Sequence, residues 1–268
     1  MKKRSWLLAS VLPIAFNSCM WGVPKKNSPA VTKDTLVYTY QTIKNRASDC
    51  GDKPDSECSL VKIRYPVFKG AKLLNDTVTA KLVNLFGISK TDTTLQMMSV
   101  GFLKDYDGGK KDNKFNRAIS YNLDSYADVL RQDSSLTTLQ VGGYQYTAGA
   151  HGVTFIYFIN WDTKANKYLV LSDIFNTGYE DELTKIGETI FRKNENLSDT
   201  TSLKKNYFFK NAKFSLNHNF SITPVGIKFL YNIYEIKPYF AGQTDLLIPY
   251  AQIKSLLKPN TVITQYIK

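Results

Sequence analysis

Histidine is scarce in this chain of 268 residues, which carries only His151 and His218. None of the motifs HExxH, GxSxG or GxxxxGKS/T occurs, so zinc-protease, serine-hydrolase and phosphate-loop chemistries have no local signature. No stretch reaches the ~20 consecutive apolar residues that cross a bilayer, which excludes a multispan membrane protein. Internal repeats and low-complexity segments are also lacking. Cysteine is limited to Cys19, Cys50 and Cys58, an odd number that sets one apart from the others.

What is present is core-forming material. Hydrophobic residues make up 43% and aromatic residues 13%, too much for a disordered chain. The formal charge is +12, and removing Lys2, Lys3 and Arg4 leaves 32 basic against 23 acidic side chains. The lysines are dispersed, apart from Lys25-Lys26, Lys110-Lys111 and Lys204-Lys205. A nucleic-acid partner is therefore not expected, and an anionic envelope partner or a solubilising surface suits the charge better.

The first residues resemble a bacterial secretory leader. Lys2, Lys3 and Arg4 precede a short apolar run from Trp6 to Phe16, and Asn17-Ser18-Cys19 follows. A small residue before cysteine at the cleavage point predicts lipoprotein processing, with residues 1–18 removed and Cys19 lipidated as the membrane anchor. Residues 19–34, rich in Pro, Lys and Ser without periodicity, read as a tether. Lys25 and Lys26 favour retention facing the periplasm, on the outer membrane of a Gram-negative cell. With Cys19 lipidated, Cys50 and Cys58 remain as a pair around the polar loop GDKPDSE, and a disulfide between them is the expected outcome.

Leu36–Tyr40 reads as a strand, and Val61, Ile63 and Tyr65 alternate with Lys62, Arg64 and Pro66 as a half-buried strand ending at Pro66. Asn75 or Asp76 is the expected cap of a helix carrying Val78, Leu82, Leu85 and Phe86. A second helix carries Leu95, Met98 and Phe102 and stops before the polar DYDGGKKDNK loop. Strands dominate from Ile119 to Ile159, with Gly142-Gly143 and Gly149 as bends or bulges. Tyr168–Leu171 is a short strand, and 179–193 a helix with Leu183, Ile186, Ile190 and Phe191 on its apolar side. Strands near 213–222, 225–232 and 244–249 precede a final helix at 251–257. Strands clustered between helical regions predict an α+β fold with mixed or antiparallel sheets and a few packed helices.

Chemistry is sparse. His151 in TAGAHG lacks an orienting partner in sequence, so a ring bonded to backbone at a bend is the simplest reading. Three SxxK matches, at Ser59, Ser202 and Ser255, have no companion motifs. Asp105, Asp107 and Gly108 make too sparse a calcium loop. No catalytic residue, metal or cofactor is assigned. Tyrosine is the remaining signal: Tyr144 and Tyr146 precede the glycines, and Tyr231, Tyr234, Tyr239 and Phe240 crowd a later segment. Exposed tyrosines favour sugar or protein recognition and buried ones serve the core.

Two runs resemble a known family. GYQYTAGAHG (Gly143 to Gly152) with INWDTKANKYLVLSDIF (Ile159 to Phe175) is similar to its YTGGAHG…D…L.DLF signature. FSITPVGIKFLYNIYEIKPYFAGQTDLLIPYAQIKSLL (Phe220 to Leu257) is similar to its YEI.PY..G and IPY signature. The cysteine pair leading into VKIRYPVF fits the N-terminal module. The family resembles the extracellular region of the RsiV anti-sigma factor and the non-catalytic N-terminal module of the PdaC peptidoglycan deacetylase. The resemblance implies two intertwined subdomains, a PdaC-like module over 35–150 and an RsiV-like module over 151–268. It also implies a ligand surface for lysozyme or a cell-wall glycan, for which the tyrosine signal and the glycine-flanked histidine offer Tyr144, Tyr146, His151, Tyr234 and Tyr239 as candidates. No catalytic residue transfers. Ala148 stands where the family usually has Gly, which implies a relaxed backbone requirement. The leading expectation is a non-enzymatic envelope lipoprotein binding a cell-wall-related ligand or protein. A peptidoglycan hydrolase or deacetylase using His151 with Asp162 or Asp173, and a lysozyme inhibitor or scaffold, are the alternatives. Basic lysozyme and a basic ectodomain lack electrostatic steering unless an acidic patch such as Glu180-Asp181-Glu182 supplies it.

Overall fold

The computed structural model describes residues 35–87, 92–112 and 119–267. The leader, Cys19 and the tether lie outside them. The architecture is the expected α+β arrangement, with a six-stranded mixed sheet and a three-stranded antiparallel one.

The large sheet runs β1 (Tyr38–Arg46), β2 (Leu60–Phe68), β3 (Tyr121–Gln132), β4 (Leu136–Thr147), β5 (Val153–Asp162) and β6 (Lys167–Tyr168) in sequence order. Every pairing is antiparallel except β2 with β3. A parallel pair needs a long crossover, and α1 (Lys72–Val83) and α2 (Leu95–Lys111) supply it. Leu74, Val78, Leu82, Met98 and Phe102 bury their faces against Val61, Ile63, Leu123, Leu139 and Ile159. β4 and β5 are hydrogen-bonded neighbours on either side of residues 150 and 151, so the sheet is continuous there.

Several local expectations are corrected. β2 continues through Pro66 because β3 pairs only with Leu60–Arg64, so no ladder bond is lost at the proline. α1 begins at Lys72, before Asn75, and Ala71 is its cap without a side-chain bond. The Asn75 amide instead accepts from the Phe68 N–H at 2.8 Å and donates to the Phe68 carbonyl at 2.9 Å, fastening the helix to the end of β2. DYDGGKK is the last part of α2, where Lys110 pairs with Asp49 at 2.7 Å and with Asp107 at 3.5 Å. Gly142 and Gly143 lie inside β4 and make no bulge; the irregularity falls at Val129/Arg131 in β3. A Cβ on Gly143 would stand 2.6 Å from the Asp124 carbonyl, so close strand approach is their role. Ser59, from one SxxK match, is buried and accepts from the Tyr121 N–H at 2.8 Å.

Cys50 and Cys58 are disulfide-bonded, with Cα atoms 5.4 Å apart, and pack with Ala47 and Tyr106. The second core gathers α3 (Leu171–Ile174), α4 (Glu180–Asn194), β7 (Phe220–Ile222), β8 (Gly226–Tyr231), β9 (Thr244–Pro249) and α5 (Tyr250–Ile253). Glu180, Asp181 and Glu182 form the first turn of α4, where the helix dipole favours acids.

The small sheet meets β5 through asparagine amides. Asn160 donates to the Phe220 carbonyl at 2.8 Å and accepts from the Ile222 N–H at 2.9 Å. Asn219 accepts from the Phe158 N–H at 3.1 Å and donates to the Ile156 carbonyl at 2.8 Å. Asn232 bonds both the N–H and the carbonyl of Ile156. Each side chain stands in for a peptide group along the free edge of β5, which is why residues 213–219 need not form the expected strand.

Candidate functional site

Strands β4 and β5 end in the turn Ala148-Gly149-Ala150-His151-Gly152, and the segment after β8 crosses it. His151 is exposed, and its Nδ1 lies 3.1 Å from the Gly152 carbonyl. Its ring stacks on Tyr239, centroids 4.1 Å apart and planes 27° apart. Tyr234 completes the group at 5.5 Å from Tyr239 and 6.2 Å from His151. The Tyr239 hydroxyl donates to the Gly152 carbonyl at 3.4 Å.

Gly152 is required here by close approach. A Cβ would stand 2.3 Å from the Tyr144 ring, so only glycine lets that ring lie across the turn. Tyr144 thus joins the turn that carries His151 and is 43% exposed. Tyr146, two residues further along β4, is half-buried and has no ring contact with the stack. Three of the five expected ligand residues therefore stack together, Tyr144 lies against the same turn without a ring contact to them, and Tyr146 does not join them. Phe240, which follows Tyr239, is 90% exposed and extends the apolar surface. Its place in the KPYFAG turn was the available signal, since a turn seldom buries its tip.

Two backbone positions in this region are strained. Tyr234 has φ 67°, unusual for a bulky residue and a cost tolerated mainly at ligand sites. Its turn is held by Glu235, which accepts from the Asn232 N–H at 2.7 Å and from Asn217 at 2.7 Å. Ala148 has φ 58°. The backbone requirement at this position is therefore not relaxed; alanine meets it at a steric cost that glycine would avoid.

The remaining tyrosines divide by environment. Tyr231 is buried, donates to the Ser215 carbonyl at 2.8 Å and has its pKa raised by burial and by Glu235. The carboxylates considered for His151 serve elsewhere. Asp162 closes the β5–β6 turn by accepting from the Lys164 and Ala165 N–H groups, roughly 30 Å along the strand from the His151 end. Asp173 pairs with Lys167 at 2.6 Å and accepts from the Val170 N–H. Burial alone would raise the Asp173 pKa, but those partners hold it below the usual range. Among the described residues no group of three or more His, Cys, Asp or Glu side chains could hold a metal. The arrangement offers flat, exposed ring faces with polar edges, which suits stacking and hydrogen bonding rather than proton transfer.

Residues 53–154 match the family model described as deacetylase PdaC, and residues 172–251 the model described as a protein of unknown function, DUF3298. The chain is 25% identical over 205 residues to the peptidoglycan-N-acetylmuramic acid deacetylase PdaC of Bacillus subtilis, covering 75% of this chain and 39% of that protein. It thus spans about two-fifths of the length of that relative. A crystal structure of a DUF3298 family member from Bacteroides fragilis shares the fold with a TM-score of 0.68 at 23% identity, covering 87% of this chain and 97% of that one. A DUF3298 family protein from Pseudomonas aeruginosa does so with a TM-score of 0.66 at 23% identity, covering 84% and 95%. The chain is therefore related to PdaC through the region that supplies Tyr144 and His151, and to DUF3298 proteins through the region that supplies Tyr234 and Tyr239.

Proposed function

We propose that this chain is a non-enzymatic envelope lipoprotein, anchored through Cys19 on the periplasmic side of the outer membrane, whose folded body binds a cell-wall glycan. The observation that carries the reading is the stack of exposed His151 on half-buried Tyr239, with exposed Tyr234 and Tyr144 beside it. The C–H face of a sugar ring packs on such surfaces, and tyrosine hydroxyls bond its rim at low entropic cost. Similarity to a peptidoglycan deacetylase supports a wall-related ligand. The leader and the Cys50–Cys58 pair support the compartment.

Phe240 at 90% exposure favours a second reading, in which the same surface is a protein-docking face of the RsiV type, for lysozyme as receptor or inhibitor. A hydrolase or deacetylase reading needs a carboxylate beside His151, and neither Asp162 nor Asp173 is placed to serve. Calorimetric titration of the full chain with soluble peptidoglycan fragments and, separately, with a basic animal lysozyme tests the proposal. Saturable heat with the fragments that Tyr239→Ala abolishes is expected. Heat only with lysozyme would replace the glycan by the protein, and heat with neither would end both readings.

A further inference from the structure

On the helix-covered side of the large sheet, the last turn of α1 lies against β5 and β6 and borders an open cavity of about 430 Å³. Lys81 enters it half-buried, its Nζ 5.4 Å from the centre of the Tyr168 ring and 5.9 Å from that of Tyr157. Among the described residues no carboxylate pairs with this ammonium and no oxygen accepts from it. Burial pushes its pKa down, as expected for a cation without a counter-charge. Two neutral donors line the same cavity. The Tyr168 hydroxyl has no partner among the described residues, and burial raises its pKa, so it stays protonated at neutral pH. Asn84, exposed at the cavity's rim, gives one amide hydrogen to the Ala80 carbonyl at 2.8 Å and has a second to give.

We infer that Lys81, Asn84 and Tyr168 form a binding site for the carboxylate of a small organic acid. One cation with two neutral donors matches a monoanion, whose oxygens accept several hydrogen bonds. Pairing would give a counter-charge to a half-buried ammonium that otherwise has only two ring faces, and the volume falls within the ~300–1,000 Å³ typical of small-molecule sites. A dianionic phosphate would keep unbalanced charge beside the walls that Ala80 and the Tyr168 ring supply. The site shares no residue with the aromatic stack and does not rest on the function proposed for it.

The test is calorimetric titration of the full chain with acetate, lactate and N-acetylmuramic acid, with uncharged N-acetylglucosamine and inorganic phosphate as separate arms. At least one carboxylate is expected to saturate, with no heat from N-acetylglucosamine and phosphate weaker by about tenfold. Lys81→Met, which keeps the apolar stem, should abolish the binding. Tyr168→Phe, which keeps the ring, should weaken it roughly tenfold. Thermal melting of each variant verifies folding, and if Lys81→Met does not fold, the Tyr168→Phe result decides. No saturable carboxylate binding, or binding undiminished in a folded variant, would overturn the inference and leave Lys81 as a lysine laid over aromatic surface. Phosphate binding as tight as carboxylate would overturn the carboxylate assignment.

Discussion

Asn160 and Asn219 perform the same task in opposite directions. The Asn160 amide reaches from β5 to pair with the backbone of β7, and the Asn219 amide reaches from the residue before β7 to pair with the backbone of β5. Both are buried, so each amide has protein rather than water as its partner. Asn219→Ala would strand the Phe158 N–H, and we expect a loss of about 2–4 kcal/mol. Urea unfolding measures it. A loss under about 0.5 kcal/mol would show that water or a shift of β7 satisfies the strand edge.

Ala148 gives a prediction of the opposite sign. Its φ of 58° disfavours any side chain with a Cβ. Ala148→Gly should stabilise the protein by about 0.5–1 kcal/mol, since relief of the left-handed strain exceeds the extra unfolded-state entropy. A lower unfolding midpoint in the glycine variant would contradict this.

The aromatic stack should be separable from stability. Tyr234 is 51% exposed and occupies a strained backbone position. Tyr234→Ala should leave the melting temperature within a few degrees while weakening glycan binding by about tenfold, equivalent to ~1.4 kcal/mol. Equal affinity in the variant would remove Tyr234 from the binding surface.

Asp133 should govern part of the acid sensitivity. Burial alone would raise its pKa, but hydrogen bonds from Tyr266, from the Ser135 and Leu136 N–H groups and from Gln265 lower it to about 2. A depressed folded-state pKa contributes stability that is complete above the unfolded value of ~3.9 and is lost as pH falls through the folded one. The stability gap between the native protein and Asp133→Asn should therefore shrink from pH 5 to about pH 2. Paired urea titrations at the two ends of that range read it, and a constant gap would assign the effect to shape rather than charge.

The disulfide closes a short loop, with Cys50 and Cys58 separated by 8 positions. Replacing both with serine should cost roughly 2.5 kcal/mol by loop-entropy reasoning. An unchanged unfolding midpoint would mean that Ala47 and Tyr106 order the loop without the bond.

The elements legible in the sequence are those whose side chains repeat with the backbone period. Val61 and Ile63 marked β2, and Leu183 with Phe191 marked α4, because burial falls on alternate or helical positions. The misread elements lost their signal to tertiary contacts. Asn75 looks like a cap because asparagine usually caps, yet it bonds the Phe68 backbone. DYDGGKK looks like a loop, but Tyr106 packs beside the disulfide while Lys110 pairs with Asp49, which holds the helix to its end. The site was legible in its residue types, since Tyr, His and Gly recur in it. Its geometry was not, because stacking His151 on Tyr239 depends on how the turn and the crossing segment meet. Lys81 gave no signal at all: its surroundings come from strands whose arrangement no local pattern records.

The two ends of the folded body are fastened to adjacent residues. The Leu36 carbonyl accepts from Gln132, and the Tyr266 hydroxyl donates to Asp133. Entry and exit therefore share one corner, and a pull between the ends would load the β3–β4 turn. A pull on the N-terminal end alone meets β1 at Tyr38, opposite Phe68, and would peel it from β2 one pair at a time. Such unzipping yields at lower force than shearing a whole strand, so the first strand to give under tension on the N-terminal side is the one farthest along the sheet from β6.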